Sequence, residues 1–137
     1  VLIITTLLLN QACGDKEDNC HKTITFKNTS NKSLYVVGAA SYPDTLSFIG
    51  IPNPALDSSH TKVLPKQTNK RVLWDRDCME LAFKDLIPSD TMMVYVFDAH
   101  VLETTPWDSV KANYMVLKRY DLSLDDLKRM NWTITYP

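Results

Sequence analysis

The stretch Thr91-Met92-Met93-Val94-Tyr95-Val96-Phe97 is the most apolar run in the chain after its first nine residues. It is bounded by Asp90 on one side and by Asp98 on the other. A run of this length without a polar side is typical of a strand that is covered on both faces, because a half-buried strand would alternate apolar and polar side chains. We therefore expect residues 91–97 to form the central strand of a sheet.

Strand patterns surround this run on both sides. Residues 23–27 alternate apolar and polar side chains, and residues 34–37 return as a β-rich segment after the turn formers 28–33, which predicts a hairpin. The further strand candidates are residues 62–64, 71–74, 78–83, 114–120 and 132–136. In the last of these, alternation places Trp132, Ile134 and Tyr136 on one face, where we expect Trp132 to join the core.

Two short helices have clear start signals near the C-terminus. Thr105-Pro106-Trp107-Asp108 offers Thr as N-cap, Pro at the first helical position and an acid at the third. Ser123-Leu124-Asp125-Asp126 repeats this device, with Leu122 and Leu127 at the positions of a hydrophobic staple and Asn131 as a stop. Together the patterns predict a mainly β fold: a small immunoglobulin-like β-sandwich with two short C-terminal crossover helices, formed by residues 21–137 as a single domain.

The first residues predict where the protein is located. The apolar run 1–9 is too short to span a bilayer, which takes about 20 residues, but it suits the core of a secretory signal. Ala12-Cys13 follows, and at this point the segment resembles the lipobox of bacterial lipoproteins, although Asn10 stands where that family usually has Leu. The resemblance implies that residues 1–12 are a truncated signal peptide and that Cys13 is lipidated and anchors the protein to a membrane. An ordinary cleaved signal or a buried N-terminal strand is the alternative.

Residues 13–20 form an acidic segment after the predicted lipid anchor. Asp15, Glu17 and Asp18 resemble the export signal that follows the lipidated cysteine in surface lipoproteins of Bacteroidetes-type bacteria. A short charged segment also suits a solvated tether, and both interpretations can hold together. The resemblance implies an outer-membrane or cell-surface location.

Two cysteines remain if Cys13 carries lipid. In an oxidising envelope, an even number of remaining cysteines indicates a disulfide between Cys20 and Cys78. The alternatives are two separate thiols, or Cys20 and His21 as half of a metal site. Since no second pair stands at ligand spacing, we expect no metal and no cofactor.

A second resemblance lies at the C-terminus. Residues 120–137, which read YDLSLDDLKRMNWTITYP, together with 106–108 and 116–120, are similar to the C-terminal signature of small uncharacterised lipoproteins of the same bacterial group. The resemblance implies a cellular location and a fold, but it assigns no site residues. Three Asp-Ser/Thr-apolar tripeptides also resemble the O-glycosylation motif of that group, with Thr45, Thr91 and Ser109 as candidate acceptors, although surface turns need such residues anyway.

The search for reactive groups yields one candidate site. Asp98-Ala99-His100 could provide two metal ligands or part of an acid/base pair at the end of the central strand, where a loop-facing Asp and His are also ordinary. The net charge of −1 provides no basic face for nucleic acid. Among the aromatic residues, Tyr42 in the Pro-rich stretch 38–61 and Trp107 in a helix first turn are the candidates for an exposed ligand-binding surface.

These observations favour a non-catalytic envelope or cell-surface lipoprotein that binds a glycan or a protein as an accessory module. The alternatives are a structural or assembly component of an envelope complex and, least favoured, an enzyme with a site near Asp98 and His100. An exposed aromatic cluster would support the first function, a long unpaired apolar strand edge the second, and a pocket that joins Asp98 and His100 to another polar group the third.

Overall fold

The computed structural model describes residues 20–43, 50–74 and 78–137, and for Trp74 its backbone only. The strands in these ranges are β1 (Thr23–Asn28), β2 (Leu34–Ala39), β3 (Lys62–Val63), β4 (Thr68–Trp74), β5 (Thr91–Asp98), β6 (Lys118–Ser123) and β7 (Thr133–Tyr136). The helices are α1 (Ser58–Thr61), α2 (Met79–Asp85), α3 (Ala99–Thr104), α4 (Trp107–Ala112) and α5 (Leu124–Arg129), and a 3-10 turn covers Pro54–Asp57. The chain is thus a mixed, β-rich fold with more helix than predicted.

Strand β5 lies inside the larger of two sheets. The four-stranded sheet has the order β3-β2-β5-β6, and β5 pairs antiparallel with both β2 and β6. All residues from Met92 to Phe97 are buried. Alternate side chains of a strand point to opposite faces, so a strand buried along its whole length must be covered on both. The predicted central, doubly covered strand is confirmed.

The main core lies between this sheet and a three-stranded sheet with the order β4-β1-β7, in which β1 pairs antiparallel with β4 and parallel with β7. Its buried side chains come from both sheets and include Ile24 and Phe26 of β1, Val94 of β5 and Ile134 of β7. Trp132 joins this core, as predicted. The two sheets therefore bury one apolar face each against the other.

A second core covers the other face of the four-stranded sheet. Tyr35 of β2 and Tyr95 and Phe97 of β5 pack there with Leu102 of α3 and Val110 of α4. Helices α3 and α4 connect β5 to β6, which are antiparallel neighbours in the same sheet, so these helices form a covering layer and not a crossover. Helix α5, in contrast, leads from β6 in one sheet to β7 in the other.

The predicted hairpin of residues 23–27 and 34–37 is wrong, since β1 and β2 belong to different sheets. The connection is organised by Asn28, which is only 1% exposed. Its side-chain amide donates to the carbonyls of Lys32 and Leu64, and its side-chain oxygen accepts from the backbone N–H of Ser30. A buried, fully bonded amide holds the corner at which the chain leaves one sheet for the other.

Residues 78–83, predicted as a strand, instead begin helix α2. The buried residues of α2 are Met79, Ala82 and Phe83. This spacing of three and four residues places them on one face of a helix, whereas a strand would bury every second residue. The strand predicted at 114–120 forms only from Lys118 and extends to Ser123.

The two predicted helix starts differ in accuracy. Helix α4 begins at Trp107, one residue later than predicted, and has no side-chain cap. Helix α5 has the predicted capping box, in which Ser123 Oγ accepts from the N–H of Asp126 and the Asp126 carboxylate accepts from the N–H of Ser123. Asn131 follows with a left-handed φ of 51°, as expected of a helix stop.

Replacing the cap should weaken α5 measurably. Ser123→Ala leaves the Asp126 N–H without its side-chain acceptor, and we expect a loss of about 1 kcal/mol in the free energy of unfolding. Urea denaturation followed by circular dichroism measures this change. Ser109→Ala, within α4, serves as the control because it changes the same side chain away from a cap. Equal stability of the two variants would contradict a capping role for Ser123.

Candidate functional site

A charged cleft opens beside the C-terminal end of β5. It has a volume of about 360 Å³ and is lined by Lys32, Ser33, Lys62, Asp98, Ala99, His100 and Glu103. Lys32 and Ser33 precede β2, Lys62 begins β3, and the other lining residues stand at the end of β5 and in α3. Polar side chains at the ends of three strands of the four-stranded sheet thus line the cleft, where β2 and β3 begin and β5 finishes.

Two ion pairs and a phenol define the geometry of this charged cleft. Lys32 Nζ lies 2.6 Å from Asp98 Oδ2, and Lys62 Nζ lies 2.6 Å from Glu103 Oε1. The Tyr35 hydroxyl donates to the same Glu103 oxygen over 2.9 Å. Lys62 also stands over the Tyr35 ring, 5.4 Å from its centroid. These contacts pair two cations with two anions around one opening.

The ion pairs keep both carboxylates charged. The hydrogen bond from Lys32 lowers the pKa of Asp98 from its ordinary value, and hydrogen bonds from Lys62 and Tyr35 lower the pKa of Glu103. The same contacts raise the pKa of Lys32 and of Lys62. At neutral pH the charged cleft therefore offers anionic acceptors and cationic donors, and neither carboxylate is suited to release a proton.

The pH dependence of stability follows from Asp98. Its pKa is lower in the folded chain than in the unfolded one, so its stabilising contribution is complete above its ordinary value of 3.8 and is lost as pH falls through the folded value. We expect Asp98→Asn to be less stable than the parent chain at neutral pH and to lose part of the acid-induced decrease in stability. Thermal melts between about pH 2 and 7 measure this. Parallel curves for the two chains would contradict it.

Asp98 and His100 do lie in one pocket, together with other polar groups, as the enzyme hypothesis required. Asp98 Oδ1, however, accepts from the backbone N–H of His100 over 3.0 Å and caps α3. Its other oxygen pairs with Lys32. The Asp98 carboxylate is thus used for a helix cap and an ion pair and does not orient the imidazole as an acid/base dyad would require.

The two candidate aromatic residues have different environments. Tyr42 is 36% exposed. Trp107 is less exposed than predicted, because its indole N–H donates to the Ile51 carbonyl over 3.2 Å and its ring packs edge-on against Phe97 at 5.7 Å. Helix α4 turns this face toward the sheet, so Trp107 contributes mainly to the second core.

The predicted disulfide between Cys20 and Cys78 is confirmed, with the two Cα atoms 5.1 Å apart. Cys78 stands at the N-cap position of α2 and does not open a strand. The two cysteines are therefore neighbours because a helix start, and not a second strand start, lies against the entry to β1.

The predicted lipid anchor, export signal and one predicted glycosylation site lie outside the described residues. These are the lipidation site Cys13, the acidic residues Asp15, Glu17 and Asp18, and the glycosylation candidate Thr45. The two other glycosylation candidates are half-buried: Thr91 begins β5, and Ser109 lies in α4. All of these remain predictions.

Sequence reasoning missed Lys32, Lys62 and Glu103. They meet their partners across 66 residues of sequence for Lys32 and Asp98, and across 41 for Lys62 and Glu103. No local sequence motif predicts ion pairs between residues so far apart in the chain. The only available signal was the Asp98-Ala99-His100 segment after the central strand, which did mark one side of the charged cleft.

Comparison of the chain with models of known protein families, with curated proteins and with solved structures found no match. Among the helices of residues 20–43, 50–74 and 78–137, none has the length and apolar character that a membrane crossing requires. The geometry of the site therefore carries the functional argument.

Proposed function

We propose that this chain is a non-catalytic lipoprotein of the bacterial envelope that binds a glycan or a protein as an accessory module. In this proposal, lipid on Cys13 anchors it to the outer membrane or the cell surface. The acidic segment 13–20 serves as the tether, and the charged cleft is the binding surface. The proposed family is the group of small surface lipoproteins whose N- and C-terminal signatures the chain resembles.

The disulfide supports the proposed location in the bacterial envelope. Disulfides persist in oxidising compartments such as the periplasm and the cell surface, and they are rare in the cytosol. Cys20 closes the proposed tether and is bonded to Cys78. A lipid anchor at Cys13 would thus be joined through a short segment to a covalent attachment point on the folded part of the chain.

The observation that carries the binding function is the charged cleft. Its volume falls in the range of small-ligand sites, and it presents two pairs of opposite charges. Sugar hydroxyls both donate and accept hydrogen bonds. Carboxylates at Asp98 and Glu103 can accept from them, while the ammonium groups of Lys32 and Lys62 can donate, so a glycan suits this cleft better than an apolar ligand.

The fold hypothesis is part of the same proposal. Two packed sheets with a mixed antiparallel and parallel pairing support a relationship to small sandwich domains, and we keep the immunoglobulin-like assignment as a proposal. The assembly alternative has less support, because the outer strands of the described sheets are short or charged. Strand β3 has two residues, and β6 carries Lys118, Arg119 and Asp121.

Substitution of a lysine tests the proposed binding site. Lys62→Gln removes one cation of the charged cleft, and we expect it to weaken glycan binding at least about tenfold, as the loss of a charged hydrogen bond would. The measurement is a glycan-array screen with the full chain, followed by calorimetric titration of the glycan that binds.

Lys111→Gln is the matched control. Lys111 also makes an ion pair, with Asp108 at 3.1 Å, and also stands over an aromatic ring, that of Trp107, at 5.9 Å. It does not line the charged cleft. Equal affinity of the Lys62 and Lys111 variants for the glycan would contradict the assignment of the cleft as the binding site.

A further inference from the structure

Three side chains of the types that can ligate metal ions meet at the disulfide. The Sγ atoms of Cys20 and Cys78 and a carboxylate oxygen of Glu80 all lie within 4.8 Å of one another. We call this set the cysteine–glutamate cluster. Cys78 and Glu80 are brought together by the first turn of α2, and Cys20 reaches them from the segment that precedes β1.

Glu80 is held in place by His21. The backbone N–H of His21 donates to Glu80 Oε2 over 2.9 Å, and His21 Nδ1 lies 2.6 Å from Oε1. The imidazole ring stacks on Trp132 with its centroid 4.1 Å away, and the His21 carbonyl accepts from the N–H of Met79 over 2.7 Å. His21 therefore contacts both oxygens of the carboxylate that lies beside the sulfur atoms.

The contact between Glu80 and sulfur is not a hydrogen bond in the oxidised chain. Glu80 Oε2 lies 3.1 Å from Cys78 Sγ. A disulfide sulfur carries no hydrogen, so it cannot donate to a carboxylate, and the contact brings together two groups that are both acceptors. In the reduced chain, the same backbone positions would place one carboxylate and two thiols around a common point.

We propose that the cysteine–glutamate cluster is a redox-gated binding site for a thiophilic divalent cation such as Zn²⁺. A dithiol reductant transfers two electrons and two protons to the Cys20–Cys78 bond, which breaks to give two thiols while the reductant becomes a disulfide. Each thiol then loses its proton as its sulfur bonds to the cation, and Glu80 supplies the third ligand. The disulfide and the metal site exclude one another.

The ligand set fits zinc chemistry. Zn²⁺ is bound by cysteine sulfur, histidine nitrogen and carboxylate oxygen in tetrahedral sites, and a site with three protein ligands keeps the fourth position for water. A ligating carboxylate is commonly oriented by a hydrogen bond from a neighbouring group. His21 makes such hydrogen bonds to Glu80, so we assign it as a positioning residue. The assigned ligands are Cys20, Cys78 and Glu80.

The test is titration of the full chain with Co²⁺ and with Zn²⁺ against a chromophoric chelator, with and without a phosphine reductant. We expect the reduced chain to bind one ion, to show a thiolate-to-cobalt charge-transfer band and to release two protons per ion. The oxidised chain should not bind. Glu80→Gln and His21→Ala should each weaken binding at least about tenfold, while the charge-transfer band persists in His21→Ala because both thiolates remain.

The controls separate this site from other groups in the chain. His60 and Asp57 form a similar pair, with His60 Nδ1 2.8 Å from Asp57 Oδ1, so Asp57→Asn should leave the metal affinity unchanged. Cys13→Ser should also leave it unchanged, because Cys13 is not among the assigned ligands. If reduction unfolds the chain, Zn²⁺ should restore the folded circular dichroism spectrum. Absence of binding to the reduced chain, failure of Zn²⁺ to refold it, or equal affinity of Glu80→Gln and the parent would overturn the proposal.

Discussion

Reduction of the Cys20–Cys78 disulfide is expected to lower the melting temperature of the chain by roughly 10–20 °C. The two cysteines are 58 residues apart in sequence. In the chain-entropy model, closing a loop of this size lowers the entropy of the unfolded chain and so raises the free energy of unfolding by about 4 kcal/mol. The effect should appear in calorimetric melts with and without a phosphine reductant in the absence of metal ions.

The bond joins the segment that precedes β1 to the start of α2, which lie far apart in sequence. Cys20 precedes β1 in the three-stranded sheet, and Cys78 precedes α2. Besides the disulfide, the His21 carbonyl and the Glu80 carboxylate link these segments by hydrogen bonds. The variant Cys20→Ser/Cys78→Ser should melt at the temperature of the reduced parent, and Cys13→Ser should melt like the oxidised parent. A melting temperature that does not respond to the reductant would contradict a stabilising disulfide.

The features predicted correctly from the sequence are those with local or compositional causes. The apolar run 91–97 predicts a doubly covered strand because nothing in it could face water, and Met92 to Phe97 are indeed buried. The capping box of α5 needs only Ser123 and Asp126, three residues apart. The disulfide followed from the number of cysteines and the predicted compartment.

The errors have a common physical origin in contacts between distant residues. Residues 23–37 have the local pattern of a hairpin, yet β1 pairs with β4 and β7, which lie much further along the chain. The segment 78–83 alternates in part like a strand, but Met79, Ala82 and Phe83 bury a helical face. Local propensity does not decide between two such structures when tertiary packing favours one of them.

The candidate site was only partly predictable for the same reason. Asp98 and His100 were marked by their position after the central strand, while their partners come from other strands. Lys62 faces Tyr35 across the β2–β3 pair, a register that no sequence pattern specifies for a strand of two residues. The sequence pattern did not predict the cysteine–glutamate cluster, because it favours no metal site and predicts a strand for the segment that contains Glu80.

Loss of the proposed lipid anchor should change the location of the protein. Cys13→Ser should move the protein from the membrane fraction to the soluble fraction, because its sulfur is the proposed attachment point of the acyl chains. Cys20→Ser, which removes a disulfide-bonded cysteine seven positions further along, should remain in the membrane fraction. This pair separates loss of the anchor from loss of the disulfide.

The most direct measurement is mass spectrometry of the N-terminal peptide of the chain isolated from bacterial membranes, combined with this fractionation. We expect the peptide to begin at Cys13, to carry the mass of a diacylglycerol group on that residue, and to be absent from the membranes of cells that express Cys13→Ser. A peptide with an unmodified Cys13, or a Cys13→Ser chain that stays with the membranes, would contradict the account.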